Sequence, residues 1–209
     1  MEDIIKALER NNIEAHYFDT AREVYEYIEK LLPAGVKISN GGSQSLIESG
    51  VMDLIKQEKY NYIDRFAPKN EQEERLMIAD YFTADYFFCS ANAITENGEI
   101  VNVDGRSNRV SAIMYGPKNV IMVVGKNKIV KDISEAFFRV KTIAAPKNAV
   151  RLNCDTYCKE KGMCLAAENT EIASGCGSNA RICCNYVVSA YQREKNRIKV
   201  LICGENLGF

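Results

Sequence analysis

The feature that most constrains the fold is a set of short apolar runs of strand length, separated by sequence with helical character. The clearest run is Val120–Gly125, Tyr86–Cys89 is of the same kind, and Ile198–Ile202 is a further strand candidate near the end of the chain. A strand that is apolar at every position must be buried on both faces of its sheet, as in parallel sheets covered by helices. The sequence therefore predicts an α/β fold with a mostly parallel sheet flanked by helices.

Helix and turn signals lie between these runs. Thr20 and Glu23 are typical of a capping box, in which the side chain of each residue accepts a hydrogen bond from the backbone N–H group of the other. A second helix is predicted over residues 131–145, and we expect it to end near Pro146 because proline cannot continue the backbone ladder. The dipeptide Asn97–Gly98 is typical of a tight hairpin turn.

Length and charge narrow the classes of function. We expect the 209 residues to form a single domain over positions 1–209. With Lys+Arg 27 and Asp+Glu 28 the net charge is −1, which argues against nucleic acid and anionic membrane as partners. No stretch approaches the roughly 20 apolar residues of a membrane helix, and the beginning of the sequence lacks signal-peptide character. A cytoplasmic location is expected, and the oligomeric state is left open.

Six of the eight cysteines lie within residues 154–184. The surrounding stretch, residues 152–184, is polar and without clear periodicity, so it is predicted to be an inserted, cysteine-rich metal-binding segment. Disulfides are not expected in a reducing cytoplasm. Cys89 and Cys203 occur in apolar, strand-like runs and are interpreted as core thiols.

Three explanations are open for the clustered thiols. Simple packing would place them in apolar runs, which they do not occupy. A structural zinc ion would need four cysteine ligands, because the only histidine, His16, is distant in sequence, and the chain has no Cys-x-x-Cys knuckles. An iron–sulfur cluster takes four thiolates from loops at less regular spacing, and Gly162, Gly175 and Gly177 suit such a loop. The cluster is favoured, with zinc as the alternative.

Several motifs resemble those of the LUD (lactate-utilisation protein) family, in its cysteine-containing branch. They are Gly41–Leu46, Ala93–Glu99 with Asn102–Arg109, Tyr115–Lys118, the cysteine-containing stretch Arg151–Cys183, and Gly204–Gly208. The resemblance covers nearly the whole chain. It implies a fold like that of NagB/RpiA/CoA-transferase proteins, in which loops at the carboxyl ends of the strands form the site.

The resemblance also implies a ligand set for the metal. The cysteines at the family's positions are Cys158, Cys164, Cys176 and Cys183, which would hold a cluster of the 4Fe-4S type. Two features depart from the family pattern. The segment between the second and third of these cysteines looks longer than usual. Cys154 is a substitute candidate for the fourth ligand, whereas Cys184 directly follows Cys183, and adjacent thiols rarely reach one metal.

The glycine–serine loop Gly41-Gly42-Ser43-Gln44-Ser45 lies between a predicted strand and a predicted helix. Backbone N–H groups at such a place can bind an anion. The loop has no lysine and is therefore not a Walker motif. A purely structural turn with a serine cap remains open, but the family resemblance favours a ligand loop. The anion-binding candidates here are Gly41, Gly42, Ser43 and Ser45.

Residues 95–109 place carboxylates beside guanidinium groups, and a guanidinium fork suits carboxylate or phosphate ligands. The candidate anion contacts are Asn108 and Arg109, and the candidate bases are Glu96 and Asp104. The alternative is a β-turn with surface ion pairs. Lys126 and Lys128, directly after the Val120–Gly125 run, also fit an anion pocket, although lysines at such a place usually belong to a solvated loop.

Together these features and the resemblance imply an iron–sulfur-binding protein associated with lactate or hydroxy-acid oxidation, with a pocket for a small anionic metabolite. Two alternatives are kept. One is a CoA-transferase- or isomerase-like enzyme whose metal is purely structural. The other is a non-catalytic subunit of a larger oxidoreductase, with the other subunits as its partners. The sequence leaves open whether the chain is catalytic by itself.

Overall fold

A parallel sheet crosses the molecule, and helices cover both of its faces. The computed structural model describes residues 1–168 and 171–209; Asn169 and Thr170, within the predicted cysteine-rich segment, lie outside the described residues. The helices are α1 Glu2–Arg10, α2 Ala21–Leu31, α3 Gln44–Glu48, α4 Val51–Ile55, α5 Glu71–Tyr81, α6 Asn108–Tyr115, α7 Ile133–Arg139, α8 Ala145–Arg151 and α9 Tyr157–Lys161. The strands are β1 Glu14–Phe18, β2 Lys37–Asn40, β3 Asn61–Tyr62, β4 Tyr86–Cys89, β5 Ala93–Thr95, β6 Ile100–Asp104, β7 Asn119–Gly125, β8 Ile129–Val130, β9 Asn185–Ser189 and β10 Ile198–Cys203.

The strands form two sheets. The larger has the order β1-β10-β7-β4-β2-β3, and all its pairs are parallel. The smaller has the order β8-β5-β6-β9, with β6 antiparallel to both of its neighbours. The predicted α/β class, with a mostly parallel central sheet flanked by helices, is confirmed.

The apolar run of β7 is buried on both faces of the larger sheet. Val120, Met122 and Val124 belong to one core cluster, which includes residues of α1, α6 and the smaller sheet. Ile121 and Val123 point the other way, into a cluster built with α2, α3 and α4. Because successive side chains of a strand alternate between faces, only a strand covered on both sides can be apolar throughout.

The smaller sheet contains the predicted hairpin. β5 and β6 pair across a turn in which Gly98 has φ +86°, a left-handed conformation that favours glycine. A Cβ atom on Gly98 would also lie 2.8 Å from the backbone carbon of Ala7, so the turn packs tightly against α1. On the far side, β9 pairs with β6 and anchors the chain directly after the cysteine-rich segment.

The helix predicted over residues 131–145 differs from expectation at its end. The chain remains helical from Ile133 to Arg151, through a π-helical turn at Val140–Ala144 that joins α7 to α8. Pro146 therefore does not end the helix, and the prediction that it would is wrong. The physical reason is that the π turn shifts the hydrogen-bond register, which places the proline in the first turn of α8, where its missing N–H is tolerated.

The order of the strands creates a crevice at one edge of the larger sheet. From β2 the chain runs to β3 on one side, and β4 then returns to the other side of β2. In open parallel sheets, ligands bind outside the carboxyl ends of the strands at such a reversal. Among residues 1–168 and 171–209, none of the helices combines the length and the apolar character needed to span a bilayer.

Candidate functional site

A cavity of about 240 Å³ opens at the carboxyl edge of the larger sheet. Its walls come from the segments that follow β2, β3, β4, β6 and β7, together with α8 and the last residue of the chain. Side chains and backbone of the following residues line it: Gly42, Ser43, Gln44, Arg65, Ser90, Asn92, Asp104, Arg106, Asn108, Arg109, Lys128, Asn148, Arg151, Ile182 and Phe209. Five of these residues are arginine or lysine.

The glycines of the early loop let arginine side chains approach the backbone. A Cβ atom on Gly41 would lie 2.7 Å from Cδ of Arg109, and one on Gly42 would lie 2.9 Å from Nη1 of Arg65. Ser43 caps α3 by accepting a hydrogen bond from the N–H of Leu46. Gly42 and Ser43 line the cavity, and their binding of an anion stays a prediction.

Ser45, the last candidate of that loop, does not line the cavity and instead forms hydrogen bonds beside it. Its hydroxyl is fully buried, donates to the carbonyl of Leu207 and receives a hydrogen bond from Nζ of Lys128 at 2.8 Å. The C-terminal tail is thereby held against the site, since Asn127 also hydrogen-bonds Leu207 and Gly208. Ser45 thus contacts the cavity only indirectly, through its hydrogen bond with Lys128, which lines the cavity.

Arg109 lines the cavity, yet its guanidinium is engaged by the protein itself. Nη1 donates to the carbonyl of Ser90 and to Oδ1 of Asn102, and Nη2 donates to Oδ1 of Asn92 and to the carbonyl of Val103. Four acceptors leave little donor capacity for a ligand. Arg109 therefore acts mainly as a cross-link between the loop after β4 and the strand β6.

The two candidate bases occupy different places. Asp104 lines the cavity, and its carboxylate accepts hydrogen bonds from the N–H groups of Arg109 and Val110, where it caps α6. Asn108, the first residue of α6, also lines the cavity. Glu96 is exposed after β5 and does not belong to the cavity wall. The structure therefore brings Asp104 and Asn108 together and leaves Glu96 outside.

The most distinctive residue of the cavity is Lys128, which is 3% exposed. It does not lie in a solvated loop, because its Nζ donates to the hydroxyls of Ser45 and Ser90. Burial, together with the positive charges of Arg139 and Arg109, lowers its pKa from 10.5 to about 7. Near neutral pH this amine can gain or lose a proton, depending on the charge beside it.

Sequence reasoning did not single out Arg65 and Arg151, which flank Gly42 in the cavity. Burial and the charge of Arg65 lower the pKa of Arg151. Within the described residues no carboxylate lies at ion-pair distance from Arg65, Arg151 or Lys128. The sequence signal that was available for Arg65 is its position in the chain. Arg65 follows β3, the strand beside β2, and Lys128 closely follows β7, so both residues come after strands that end at the same edge of the larger sheet.

The four cysteines named by family resemblance share one small enclosed space. Cys158, Cys164, Cys176 and Cys183 line a cavity of about 10 Å³ together with Lys141 and Tyr186. All eight cysteines are free thiols. Cys154 and Cys184 are not part of this wall; Cys184 is exposed and its thiol donates to the carbonyl of Arg181. Cys89 and Cys203 are fully buried in β4 and β10.

The environment of these thiols contains both apolar surface and a cation. Burial raises the pKa of Cys183, and the nearby thiols Cys164 and Cys176 raise it further, while Arg181 opposes the shift. Nε of Arg181 lies 3.3 Å from Sγ of Cys183 and donates to it. Such a hydrogen bond stabilises a thiolate, the form that binds metals.

The donor set fits a thiolate-bound metal centre in its chemistry. In the part of the chain that the structure describes, no group of three or more histidine, cysteine, aspartate or glutamate side chains is spaced to hold a metal ion as it stands. The space between the thiols is about that of one water molecule. The irregular segments that carry Cys164 and Cys176 would therefore have to move apart to admit a cluster.

The cysteine cavity and the larger cavity lie back to back. Ala144 lines the larger cavity and its neighbour Ala145 lines the cysteine cavity. In the same way Ile182 faces the larger cavity and Cys183 the cysteine cavity. The junction of the π turn with α8 and the segment before β9 thus form one shared wall.

Comparison with known proteins identifies the family. The family model described as LUD domain matches residues 1–203. The chain belongs to the LUD domain family. This LUD domain is also similar to the crystal structure of a DUF162 family protein from Deinococcus radiodurans, with a TM-score of 0.53 and 15% sequence identity over 97% of this chain and 94% of that one. That likeness concerns the fold. No protein with a curated description matches the sequence.

The close approach of Gly41 to Arg109 yields a first prediction. Gly41→Ala should destabilise the LUD domain by about 1–3 kcal/mol, because the new methyl group overlaps a side chain whose guanidinium is held by four hydrogen bonds. Gly177→Ala is the matched control, since a Cβ there meets nothing within 4 Å. Urea unfolding measures both, and equal stability of the two variants would contradict the prediction.

The ionisation of Lys128 yields a second. Between pH 7 and 10.5 the unfolded chain keeps the proton that the folded chain has released, so stability should rise with pH over this interval. Relative to Lys128→Met, which cannot titrate, the slope should approach about 1.4 kcal/mol per pH unit. The measurement is the free energy of unfolding of both proteins at several pH values. A constant difference between them would show that Lys128 is not shifted.

Proposed function

We propose that this LUD domain is an iron–sulfur-binding protein that acts in the oxidation of lactate or related hydroxy acids and holds a small anionic metabolite in its cavity. The observation that carries the proposal is the back-to-back placement of two sites. One is a cavity with three cations that lack a carboxylate partner within the described residues, and the other is an enclosed space lined by four thiols.

Unpaired cations in a concave site favour an anionic occupant. Arg65 and Arg151 present guanidinium groups on either side of Gly42, and Lys128 with Ser90 lies elsewhere on the cavity wall. Guanidinium groups bind carboxylates and phosphates with two parallel hydrogen bonds. Binding an anion here would relieve the mutual repulsion of the cations, which is a gain in free energy beyond the new hydrogen bonds.

The chain's part in the metal centre is to supply and orient thiolates. Cys158, Cys164, Cys176 and Cys183 would hold the cluster, and Arg181 would donate to the sulfur of Cys183. An iron–sulfur cluster, when bound, takes up and passes on single electrons. Because the two cavities share a wall, the anion would lie close to the metal centre.

Carboxylate-dependent turnover, as in a CoA transferase, finds less support in the cavity. Among the lining residues that the structure describes, Asp104 has the one side-chain carboxylate, and it already accepts two backbone N–H groups. Both hydrogen bonds are accepted by one oxygen, Oδ2, and hold the carboxylate at the start of α6. We therefore assign Asp104 to the positioning of α6 and Arg109.

The metal centre is tested by anaerobic purification followed by visible spectroscopy and by iron, sulfide and zinc analysis. We expect a brown protein with roughly four iron and four sulfide per chain. Cys164→Ser and Cys176→Ser should lose most of the iron, and Cys184→Ser is the matched control that should retain it. Cys154→Ser should also retain it if Cys183 is the fourth ligand. One zinc and no sulfide would make the site a zinc site, and a metal-free protein would refute the centre.

The anion site is tested by isothermal titration with L-lactate and with inorganic phosphate. We expect binding of at least one of them, weakened about tenfold or more by Arg65→Gln or Arg151→Gln, because each variant removes a charged hydrogen-bond donor. Arg22→Gln, which changes an exposed arginine paired with Glu26 on α2, should leave affinity unchanged. Equal affinities in all four proteins would place the anion elsewhere.

A further inference from the structure

The three cations of the larger cavity that lack a carboxylate partner within the described residues form two separate groups. The first is the arginine pair, Arg65 and Arg151: a Cβ on Gly42 would lie 2.9 Å from Nη1 of Arg65 and 3.7 Å from Nη2 of Arg151. The second is Lys128, whose Nζ lies 2.8 Å from the Ser45 hydroxyl and 3.1 Å from the Ser90 hydroxyl. Ser90 itself lines the cavity, so a ligand can reach this second group.

Within the described residues, neither group has a carboxylate at ion-pair distance. Burial and the charge of Arg65 disfavour the charge of Arg151. The titratable groups that act on Lys128 are Arg139 and Arg109, which repel its charged form, and Glu48 and Cys89, whose effect is smaller. A single carboxylate bound at one group would leave the other without an anionic partner.

The two groups also differ in the geometry they recognise. The arginine pair offers planar forks, suited to a carboxylate or a phosphate, on the open side of the cavity. Lys128 offers a compact point charge, with the Ser90 hydroxyl beside it as a further donor or acceptor. The cavity of about 240 Å³ that contains both is of small-molecule size.

From this geometry we infer that the occupant is a small acid with two anionic groups, one bound by Arg65 and Arg151 and the other by Lys128 and Ser90. The inference rests on the anion site proposed above and narrows its substrate class. It places a second carboxylate or a phosphate on a hydroxy-acid skeleton. An anion beside Lys128 also favours its protonated form, so binding should draw a proton from solution.

The experiment compares three acids of related skeleton by isothermal titration at about pH 8, where an unliganded Lys128 is largely neutral. L-lactate carries one carboxylate, L-malate carries two, and 2-phospho-L-lactate carries a carboxylate and a phosphate. At least one of the two-anion acids should bind about 100-fold more tightly than lactate, since it satisfies both groups. Its binding enthalpy should change with the ionisation enthalpy of the buffer, which reports proton uptake.

Variants separate the two groups. Lys128→Met should remove the advantage of the two-anion acid over lactate and abolish proton uptake, whereas Arg151→Gln should weaken binding and leave proton uptake in place. Ser90→Ala offers a milder test at the Lys128 end if Lys128→Met does not fold. The comparison of the three acids with the unchanged protein needs no variant at all.

The outcomes distinguish this inference from the proposed function. Lactate bound as tightly as both two-anion acids would overturn the inference and leave the anion site intact. No binding of any of the three acids or of phosphate would refute the anion site itself. Tighter binding of malate would identify the second group as a carboxylate, and tighter binding of phospholactate as a phosphate; either result supports the inference.

Discussion

The hydrogen bonds of Arg109 hold the candidate site together. One guanidinium ties the carbonyl of Ser90, after β4, to Asn102 and Val103 of β6 and to Asn92 between them. The aliphatic part of the same side chain packs on Gly41, so the loop after β2 depends on it as well. The loops after β2 and β4 belong to the larger sheet, whereas β6 belongs to the smaller one. The hydrogen bonds of Arg109 join these two parts and so determine where this wall of the cavity lies relative to the other cations.

Charge burial is the second constraint on the site. Lys128 and Arg109 are both largely buried beside one cavity and repel one another, and their burial costs free energy that the rest of the fold must supply. The larger sheet can do so because its apolar strands are covered on both faces. The result is an electropositive recess that contains a buried lysine with a lowered pKa.

The cysteine-rich segment has a different character from this framework. Its ends are fixed, by α8 on one side and by the pairing of β9 with β6 on the other. Between them the thiols are carried by the short helix α9 and by irregular backbone, which can adjust its spacing more easily than a sheet. Ala144 and Ala145 are neighbours in the wall between the two cavities, so a movement of this wall on the cysteine side would also displace residues that line the larger cavity.

The sequence by itself determined the class of fold and those elements that carry strong local signals. The apolar runs of the buried strands, the Thr20–Glu23 capping box and the Asn97–Gly98 turn are patterns of residues that lie close together in the chain. Each is found as predicted. The sequence did not show that Lys128 is buried or that Arg65 and Arg151 meet across Gly42, because these contacts join segments far apart in the chain. The sequence also could not show that the guanidinium of Arg109 donates its hydrogen bonds to acceptors within the protein. Such contacts are decided by strand order and loop packing, since only the tertiary structure places the charges that follow β3 and β7, and that of Arg151 in α8, around one recess.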